Sequence, residues 1–260
     1  MSTAHSPERF ERFIELLRAR AASEPDVIGF VGMGSTAERH RVDEWSDHDF
    51  ALVTVDGAED RYRHDLSWLP AAASIALSVV ESHGGVKVIY ADGHVLEFGI
   101  TSLAGLANWA GNAYEVFYDA GDVEEAFAAV VSKPLPTGAR NDAADMRLVL
   151  TQVLIGMGRY RRGEVLSAGE SVRSEALAYL LRVLGRRLPG EHRLLDTLDP
   201  RRRFELVHPQ LAAELASALT SDVEVVGRAL LDIAERELEP GWDDFPREGL
   251  AAVRARLGWA

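Results

Sequence analysis

The chain has 260 residues, of which 47% are apolar and 27% charged, and its formal net charge is −13. It has no run of roughly 18 apolar residues, as a membrane-spanning helix needs, and its start is polar, so we expect a cytoplasmic protein without a membrane partner. Because cysteine is absent, disulfides, thiolate nucleophiles and cysteine-bound zinc are excluded, and any metal must bind to oxygen or imidazole.

The charge is unevenly distributed along the chain. Residues 1–137 contain 10 Lys and Arg against 22 Asp and Glu, a balance of −12, whereas residues 138–260 contain 18 against 19, a balance of −1. An acidic surface repels a phosphate backbone, since nucleic-acid binding depends on basic patches. We therefore expect no nucleic-acid partner, and the acidic half suits Mg²⁺ and a cationic small substrate, although solubility alone explains much of this charge.

The first half of the chain predicts a mixture of helices and strands. Ser6 and Pro7 are typical of a helix N-cap and first helical residue, and this helix should extend to about Ala22. The apolar stripe that we predict for it is Phe10, Phe13, Leu16 and Leu17. Short runs rich in β-branched residues predict five strands, and two further segments predict helices. The strands are 27–31, 50–55, 75–80, 86–90 and 95–100, and the helices are 59–68 and 122–131.

The second half predicts helices alone. A segment rich in proline at 133–138 is the expected linker. Beyond it, apolar residues recur at the three-to-four spacing of a helix face. The three longest stripes are Met146, Val149, Val153, Met157 and Tyr160; Val172, Ala176, Leu180 and Leu184; and Val223, Val226, Leu230 and Ile233. We expect shorter helices at 201–218 and 246–257. The predicted fold class is therefore α+β, with a mixed-sheet domain at 1–135 and an all-helical bundle domain at 140–260.

One stretch of the first domain contains a residue pattern typical of a metal-binding or catalytic site. The strand that begins at Val27 ends in a bend of small residues, Gly34 and Ser35. After a spacer of eleven residues, Asp47 and Asp49 begin the next strand. Side chains alternate along a strand, so the two aspartates should project from one face. Paired carboxylates repel each other unless a cation lies between them, and Mg²⁺ prefers carboxylate, water and phosphate oxygens.

The bend and a third acid complete this predicted site. Gly34 allows backbone amides to approach a phosphate closely, and the Ser35 hydroxyl can donate to a phosphate oxygen. In the later strand 95–100, Leu96, Phe98 and Ile100 form one apolar face and leave Glu97 on the other. A carboxylate close to the metal can accept the proton of an attacking hydroxyl, so Glu97 is the candidate general base. Alternatively, these acids have no chemical role: Asp47 and Asp49 cap or begin a strand, and Glu97 faces solvent from a sheet edge.

The order Gly-Ser, Asp-x-Asp and a later strand carboxylate resembles the signature of the DNA polymerase beta-like nucleotidyltransferases. Within that superfamily the chain is most similar to small antibiotic-modifying adenylyltransferases, particularly the lincosamide nucleotidyltransferases. Weaker similarities continue at 87–90, 97–99 and 160–164, so the resemblance covers most of the chain. His48 departs from the pattern, since an apolar residue is more usual between the two aspartates.

The resemblance implies a fold, a reaction and a site. The fold would be a nucleotidyltransferase mixed-sheet domain followed by a helical domain that helps to shape the substrate cleft. Gly34 and Ser35 would bind the nucleotide phosphates, Asp47 and Asp49 would bind Mg²⁺, and Glu97 would act as base or additional metal ligand. The reaction would transfer AMP from ATP to a hydroxyl of a small molecule, with lincosamide-like and aminoglycoside antibiotics as the first acceptors to consider. The resemblance does not specify the acceptor, the donor base or the oligomeric state, and a homodimer is one of the states to consider.

Several other residues are weaker candidates for this site. Lys87, Arg159, Arg161 and Arg162 are candidates for holding the outer phosphates, although arginines on amphipathic helices are usually solvated surface residues. Trp109 and Tyr114 could stack on a substrate ring, but aromatic residues in such loops more often belong to the core.

Two other functional classes compete with this interpretation. A Rossmann dinucleotide site fits the string Gly32-x-Gly34-x-x-Ala37, which follows a strand, with Asp56 at the end of the next strand about 20 residues further on. Residues 37–48, however, lack the apolar stripe of the required helix. The second alternative keeps the fold without turnover, as a regulator of the toxin and antitoxin type. Loss of an acid would favour that alternative, and all three acids are present.

Overall fold

A computed structural model describes residues 6–111, 113–132, 141–196 and 198–259 of the chain. The chain divides into two compact units, Met1–Lys133 and Pro134–Ala260. The segment 133–138, which the sequence predicts as a linker, lies outside the described residues. None of the helices in these described ranges combines the length and the apolar composition that crossing a membrane requires.

The first unit is built on one six-stranded mixed sheet with the order β3-β4-β5-β2-β1-β6. Its strands are β1 (Val27–Met33), β2 (His48–Thr54), β3 (Ile75–Val80), β4 (Val86–Tyr90), β5 (Val95–Ser102) and β6 (Tyr114–Asp119). Its helices are α1 (Pro7–Ser23), α2 (Gly34–Ala37), α3 (Glu59–His64) and α4 (Val123–Ser132). Strands β2 and β5 are parallel, and the other neighbouring pairs are antiparallel. The predicted α+β class is confirmed.

Helix α1 begins as the sequence predicts. The Ser6 side chain accepts a hydrogen bond from the backbone N–H of Arg9, and Pro7 occupies the first helical turn, where its missing N–H leaves no bond unmade. The predicted apolar stripe is wrong in one position, because Leu16 is 49% exposed. The buried positions are Phe10, Ile14, Leu17 and Ala21, which follow a strict helical spacing onto the sheet.

The two faces of the sheet bury separate apolar clusters. The first face, which we call the α1 face, packs side chains of β2, β4 and β5 against α1 and the 62–69 segment. The second face packs Val31, Ala51 and Val53 against α4 and a 3-10 turn at Gly105–Asn108. Strand alternation sends Phe50 and Leu52 to the α1 face. Asp47 and Asp49 belong to the second face, which we call the acid face.

Strand β6 is an element that the sequence did not predict. Its residues lie at the sheet edge beside β1, with Gly29 opposite Asp119 and Met33 opposite Tyr114. The strand is partly exposed along both faces, so its sequence lacks the clean alternation of a half-buried strand. Its pairing with β1 is what fixes it, and the paired residues lie 81 (114 minus 33) to 90 (119 minus 29) positions apart in sequence.

The second unit is helical, as predicted. Its helices are α5 (Asp142–Arg161), α6 (Val165–Gly169), α7 (Leu177–Arg187), α8 (Phe204–Val207), α9 (Pro209–Leu219), α10 (Val223–Leu238) and α11 (Arg247–Leu257). The predicted stripes of α5, α7 and α10 lie in one apolar cluster. A π-helical segment, Glu170–Ala176, joins α6 to α7 and was not foreseen. At its contact with α5, a Cβ on Gly156 would lie 2.6 Å from Val172 Cγ2, so only glycine allows this approach.

The α1 face buries a pair of histidines directly behind the two aspartates. His48 is 1% exposed, its Nδ1 lies 2.8 Å from His94 Nε2, and its Nε2 lies 3.1 Å from the Phe10 carbonyl oxygen. The ring stacks on Phe10 with a centroid separation of 3.8 Å. His48 therefore fills the position where the resemblance expects an apolar residue, as a ring that is packed and hydrogen-bonded.

Burial lowers the pKa of His48 from 6.5 to about 3. As the pH falls, the unfolded chain binds this proton before the folded chain does. The stabilising contribution is therefore complete above pH 6.5 and declines as the pH falls toward 3. We expect the free energy of unfolding to decrease less between pH 7 and pH 5 in His48→Leu than in the wild type. Urea unfolding at both pH values measures this, and equal decreases in the two proteins would contradict it.

Candidate active site

The parallel pairing of β2 and β5 brings together carboxylates that are 48 residues apart in sequence (97 minus 49). Asp49 and Glu97 are direct strand partners, so their side chains leave the same face of the sheet at neighbouring positions. One carboxylate oxygen each from Asp47, Asp49 and Glu97 lies within 4.8 Å of the other two. The structure thus brings together all three predicted acids, and we refer to them as the acid cluster.

The bend after β1, at Gly34 and Ser35, lies directly against Asp49 of the acid cluster. Gly34 has a φ of +54°, and a Cβ at this position would lie 2.6 Å from Asp49 Oδ2. Both the backbone conformation and the contact with the aspartate therefore require glycine. The sequence predicted that Gly34 matters for phosphate approach, and the structure adds that it leaves room for Asp49.

Two hydroxyl side chains fix the backbone of the Asp-x-Asp segment. Thr36 Oγ1 accepts a hydrogen bond from the Asp49 N–H at 3.0 Å, and Thr36 is fully buried. Ser35 Oγ donates to the Asp47 carbonyl oxygen over 3.4 Å. Sequence reasoning missed Thr36, although its place directly after Gly-Ser was the available signal. The predicted contact of Ser35 with a phosphate stays a prediction.

The three carboxylates are only partly exposed, and a basic side chain accompanies them. On β4, Lys87 is the direct strand partner of Glu97, and its Nζ lies 3.5 Å from Glu97 Oε2 and 3.4 Å from Glu81 Oε1. These two acids, Glu97 first, raise the pKa of Lys87, so the ammonium group is firmly charged. Lys87 therefore offsets part of the negative charge of the acid cluster.

The acid cluster fits a divalent oxygen-binding cation. Oxygens bound to one Mg²⁺ at about 2.1 Å lie at most about 4.2 Å apart, so small rotations of the side chains bring three oxygens separated by up to 4.8 Å onto one ion. Carboxylates alone, without imidazole or thiolate, form the hard donor set that Mg²⁺ and Mn²⁺ prefer. Lys87 offsets part of the mutual repulsion of the three carboxylates, and a cation bound among them would offset more.

The three predicted arginine candidates make contacts inside the helical unit. Arg159 donates to Ser171 Oγ at 2.8 Å, Arg161 donates to the Leu257 carbonyl oxygen at 2.7 Å, and Arg162 pairs with Glu164. Each guanidinium thus has a structural partner. Their predicted role in holding phosphates is not tested by these contacts.

The two aromatic candidates lie on the acid face. The Trp109 ring lies against Gly99, where a Cβ would meet Trp109 Cη2 at 2.3 Å, and it packs edge-on against Phe127. Tyr114 donates its hydroxyl to Glu124 at 2.9 Å. Both belong to the packing around α4, which agrees with the core interpretation of these rings.

The first unit thus combines a mixed six-stranded sheet, three clustered carboxylates and an adjoining Gly-Ser bend. No protein-family model and no curated protein matches the chain significantly. Among solved structures, it is similar to a nucleotidyltransferase-like protein from Exiguobacterium sibiricum 255-15, with 12% identity over 96% of this chain and 88% of that chain, at a TM-score of 0.37. It is also similar to an aminoglycoside 6-adenyltransferase from Bacillus subtilis, with 11% identity over 95% of this chain and 91% of that chain, at a TM-score of 0.27.

Both of these solved structures carry names of the class that the sequence motifs resemble. Their identities and TM-scores are too low to transfer a residue role, a substrate or a cofactor to this chain. The roles of individual residues therefore rest on the geometry of the acid cluster.

The steric contact at Gly34 leads to a specific expectation. Gly34→Ala should displace Asp49 and weaken binding of Mg²⁺ about tenfold or more, measured as the rise of the thermal midpoint during a Mg²⁺ titration. Gly57→Ala is the matched control, because Gly57 has a φ of +87° but nothing within 4 Å of an added Cβ. The control should lose about 1 kcal/mol of stability from backbone strain and keep its Mg²⁺ response. Equal Mg²⁺ responses in both variants would show that Gly34 does not position Asp49.

Proposed function

We propose that this protein is a Mg²⁺-dependent nucleotidyltransferase that transfers AMP from ATP to a hydroxyl group of a small molecule. The single observation that carries the proposal is the convergence of Asp47, Asp49 and Glu97 from two strands within 4.8 Å of one another. Carboxylates this close repel one another, and a divalent cation bound among them would stabilise the arrangement.

Mg²⁺ bound at the acid cluster would neutralise phosphate charge and polarise the α-phosphorus toward attack. Asp47 and Asp49 would hold that ion, and Glu97 would either join them or act on the acceptor. Gly34 would let the backbone of the bend approach the phosphates closely, with the Ser35 hydroxyl beside it. All these residues belong to the first unit, so we place the chemistry there, in the catalytic domain proposed for residues 1–135.

The Glu97 side chain is 46% exposed, so an acceptor hydroxyl can reach it from solvent. In the proposed reaction the acceptor oxygen forms a bond to the α-phosphorus of ATP, and the bond from that phosphorus to the bridging oxygen of pyrophosphate breaks. The proton of the acceptor hydroxyl moves to a Glu97 carboxylate oxygen, and pyrophosphate leaves with the electron pair of the broken bond.

The nature of the acceptor follows from exclusion and from the resemblance. The acidic first half argues against an RNA or DNA acceptor, because a phosphate backbone would be repelled. A hydroxyl-bearing antibiotic, lincosamide-like or aminoglycoside, is the acceptor class that we propose to screen first, with ATP as donor.

The two alternatives have less support. A Rossmann site needs a parallel β-α-β unit, whereas β1 and β2 pair antiparallel. A regulator without turnover would not need all three acids, and the described residues place every one of them in the cluster. The catalytic form is therefore favoured.

Asp49 gives the most direct test of the proposed metal site. Asp49→Asn keeps the shape of the side chain and removes one negative charge, so turnover should fall at least about a hundredfold. Mg²⁺-dependent pyrophosphate release, with ATP and a panel of hydroxylated antibiotics, measures this. Asp56→Asn, an exposed position at the other end of β2, is the control and should keep full activity. Unchanged turnover in Asp49→Asn would remove this residue from the mechanism.

A substitution of Glu97 tests the catalytic step separately from nucleotide binding. Glu97→Gln cannot accept the hydroxyl proton, so the turnover number should fall about 10²- to 10⁴-fold while ATP affinity changes little. The same pyrophosphate assay, together with ATP titration, measures both quantities. Glu125→Gln on the exposed side of α4 is the matched control. A Glu97→Gln variant with normal turnover would mean that another group takes the proton.

A further inference from the structure

The acid face of the sheet continues past Glu97 as an exposed apolar surface. Across β3, β4 and β5, Leu77 pairs with Ile89 and Ile89 pairs with Val95, which makes one apolar cross-strand row. Beside this row, Val79 pairs with Lys87. We call Leu77, Val79, Ile89 and Val95 the apolar shelf.

The shelf is distinct from the core of the sheet. Leu77 is 52% exposed, Val79 46% and Ile89 39%. The alternate residues of β4, Val86 and Val88, are fully buried on the α1 face. One side of β4 is therefore ordinary core, whereas its other side and the neighbouring edge strand β3 expose large apolar groups. Adjoining exposed apolar groups of this kind often mark binding surfaces.

The strand register links the shelf directly to the acid cluster. Val79, Lys87, Glu97 and Asp49 form one row across four neighbouring strands. Strands in a sheet lie about 4.8 Å apart, so this row spans about 14 Å from Asp49 to Val79. A molecule roughly 10 Å long can thus rest on the shelf and place one end at Glu97.

From this continuity we propose that the apolar shelf binds the acceptor, and that the acceptor is an amphipathic molecule with an apolar body and a hydroxyl at one end. The proposal rests on the proposed nucleotidyltransferase function and deepens it. The apolar body covers Leu77, Ile89 and Val95, and the hydroxyl points toward Glu97. Lys87 lies at the border between the two parts, where its ammonium group can bind a polar or anionic group of the acceptor.

The apolar shelf itself gives a polycationic acceptor little to bind. A polyamine gains binding energy from carboxylates that surround it, whereas the shelf offers apolar side chains and the ammonium group of Lys87. Beside the shelf, Glu81 and Glu97 already pair with Lys87. Of the two antibiotic classes considered, the shelf therefore fits the amphipathic one.

The first experiment measures binding without turnover. The full chain, with Mg²⁺ and a non-hydrolysable ATP analogue, is titrated with methyl, butyl and octyl β-D-glucoside, which share their hydroxyls and differ only in the alkyl group. Each methylene that leaves water adds about fourfold in affinity, so octyl glucoside should bind at least about tenfold more tightly than butyl glucoside. Kanamycin, a polycation, should bind more weakly than octyl glucoside.

The second experiment assigns the binding to the shelf. In the double variant Leu77→Thr/Ile89→Thr, the affinity for octyl glucoside should fall about tenfold or more, with the affinity for methyl glucoside and for the ATP analogue unchanged. Threonine is β-branched and favours strands, and both positions are exposed, so the strands should persist. Val80→Thr is the matched control, because Val80 lies on the same edge strand and is 38% exposed on the opposite face.

Several results would overturn the proposal. These are equal affinities for the three glucosides, no binding of octyl glucoside, tighter binding of kanamycin, or an equal loss in Val80→Thr. Sedimentation of the wild type and the double variant tests whether the shelf is a dimer contact instead. A wild-type dimer that is lost in the double variant would show that the shelf binds a second copy of the chain. Shelf binding without pyrophosphate release from any acceptor would instead refute the nucleotidyltransferase function, so the two failures are distinguishable.

Discussion

The in-register parallel pairing of β2 with β5 is the contact on which the candidate site depends. It places Asp49 opposite Glu97, and the antiparallel pairing of β4 with β5 then places Lys87 opposite Glu97. A slip of one residue would turn Glu97 toward the apolar cluster of the α1 face and leave Asp49 without a partner. Because Leu96, Phe98 and Ile100 are all buried on that face, the hydrophobic core itself fixes the register that assembles the acids.

The two faces of the sheet therefore differ in composition and packing. The α1 face is filled by aromatic and aliphatic side chains, and even His48 is held there as a stacked, hydrogen-bonded ring with a pKa of about 3. The acid face concentrates charge at the start of β2 and the middle of β5, and its apolar groups on β3 and β4 stay exposed. A rigid, fully packed layer behind Asp47 and Asp49 is what allows three like charges to be kept close together, since a mobile strand would let them separate.

The charge on the acid face also shapes what can bind beside it. In the proposed reaction, the three carboxylates would hold a divalent cation and the cation would hold a triphosphate, so electrostatics would select the nucleotide. The neighbouring shelf contributes apolar area instead, so burial of surface would select the proposed acceptor. Lys87 separates the two regions, because its pairing with Glu97 and Glu81 holds it at their boundary.

By itself the sequence determined the local elements and the residue types of the site. The Ser-Pro start of α1, five of the six strands, the helical stripes of the second half and the set Gly34, Ser35, Asp47, Asp49 and Glu97 all follow from short-range patterns. Only the tertiary structure decided the rest: the edge strand β6, the contact of Gly34 with Asp49, the buried His48–His94 pair and the apolar shelf. These features depend on which strands lie side by side, and strand order and register arise from the summed burial of many distant residues, which local patterns do not encode.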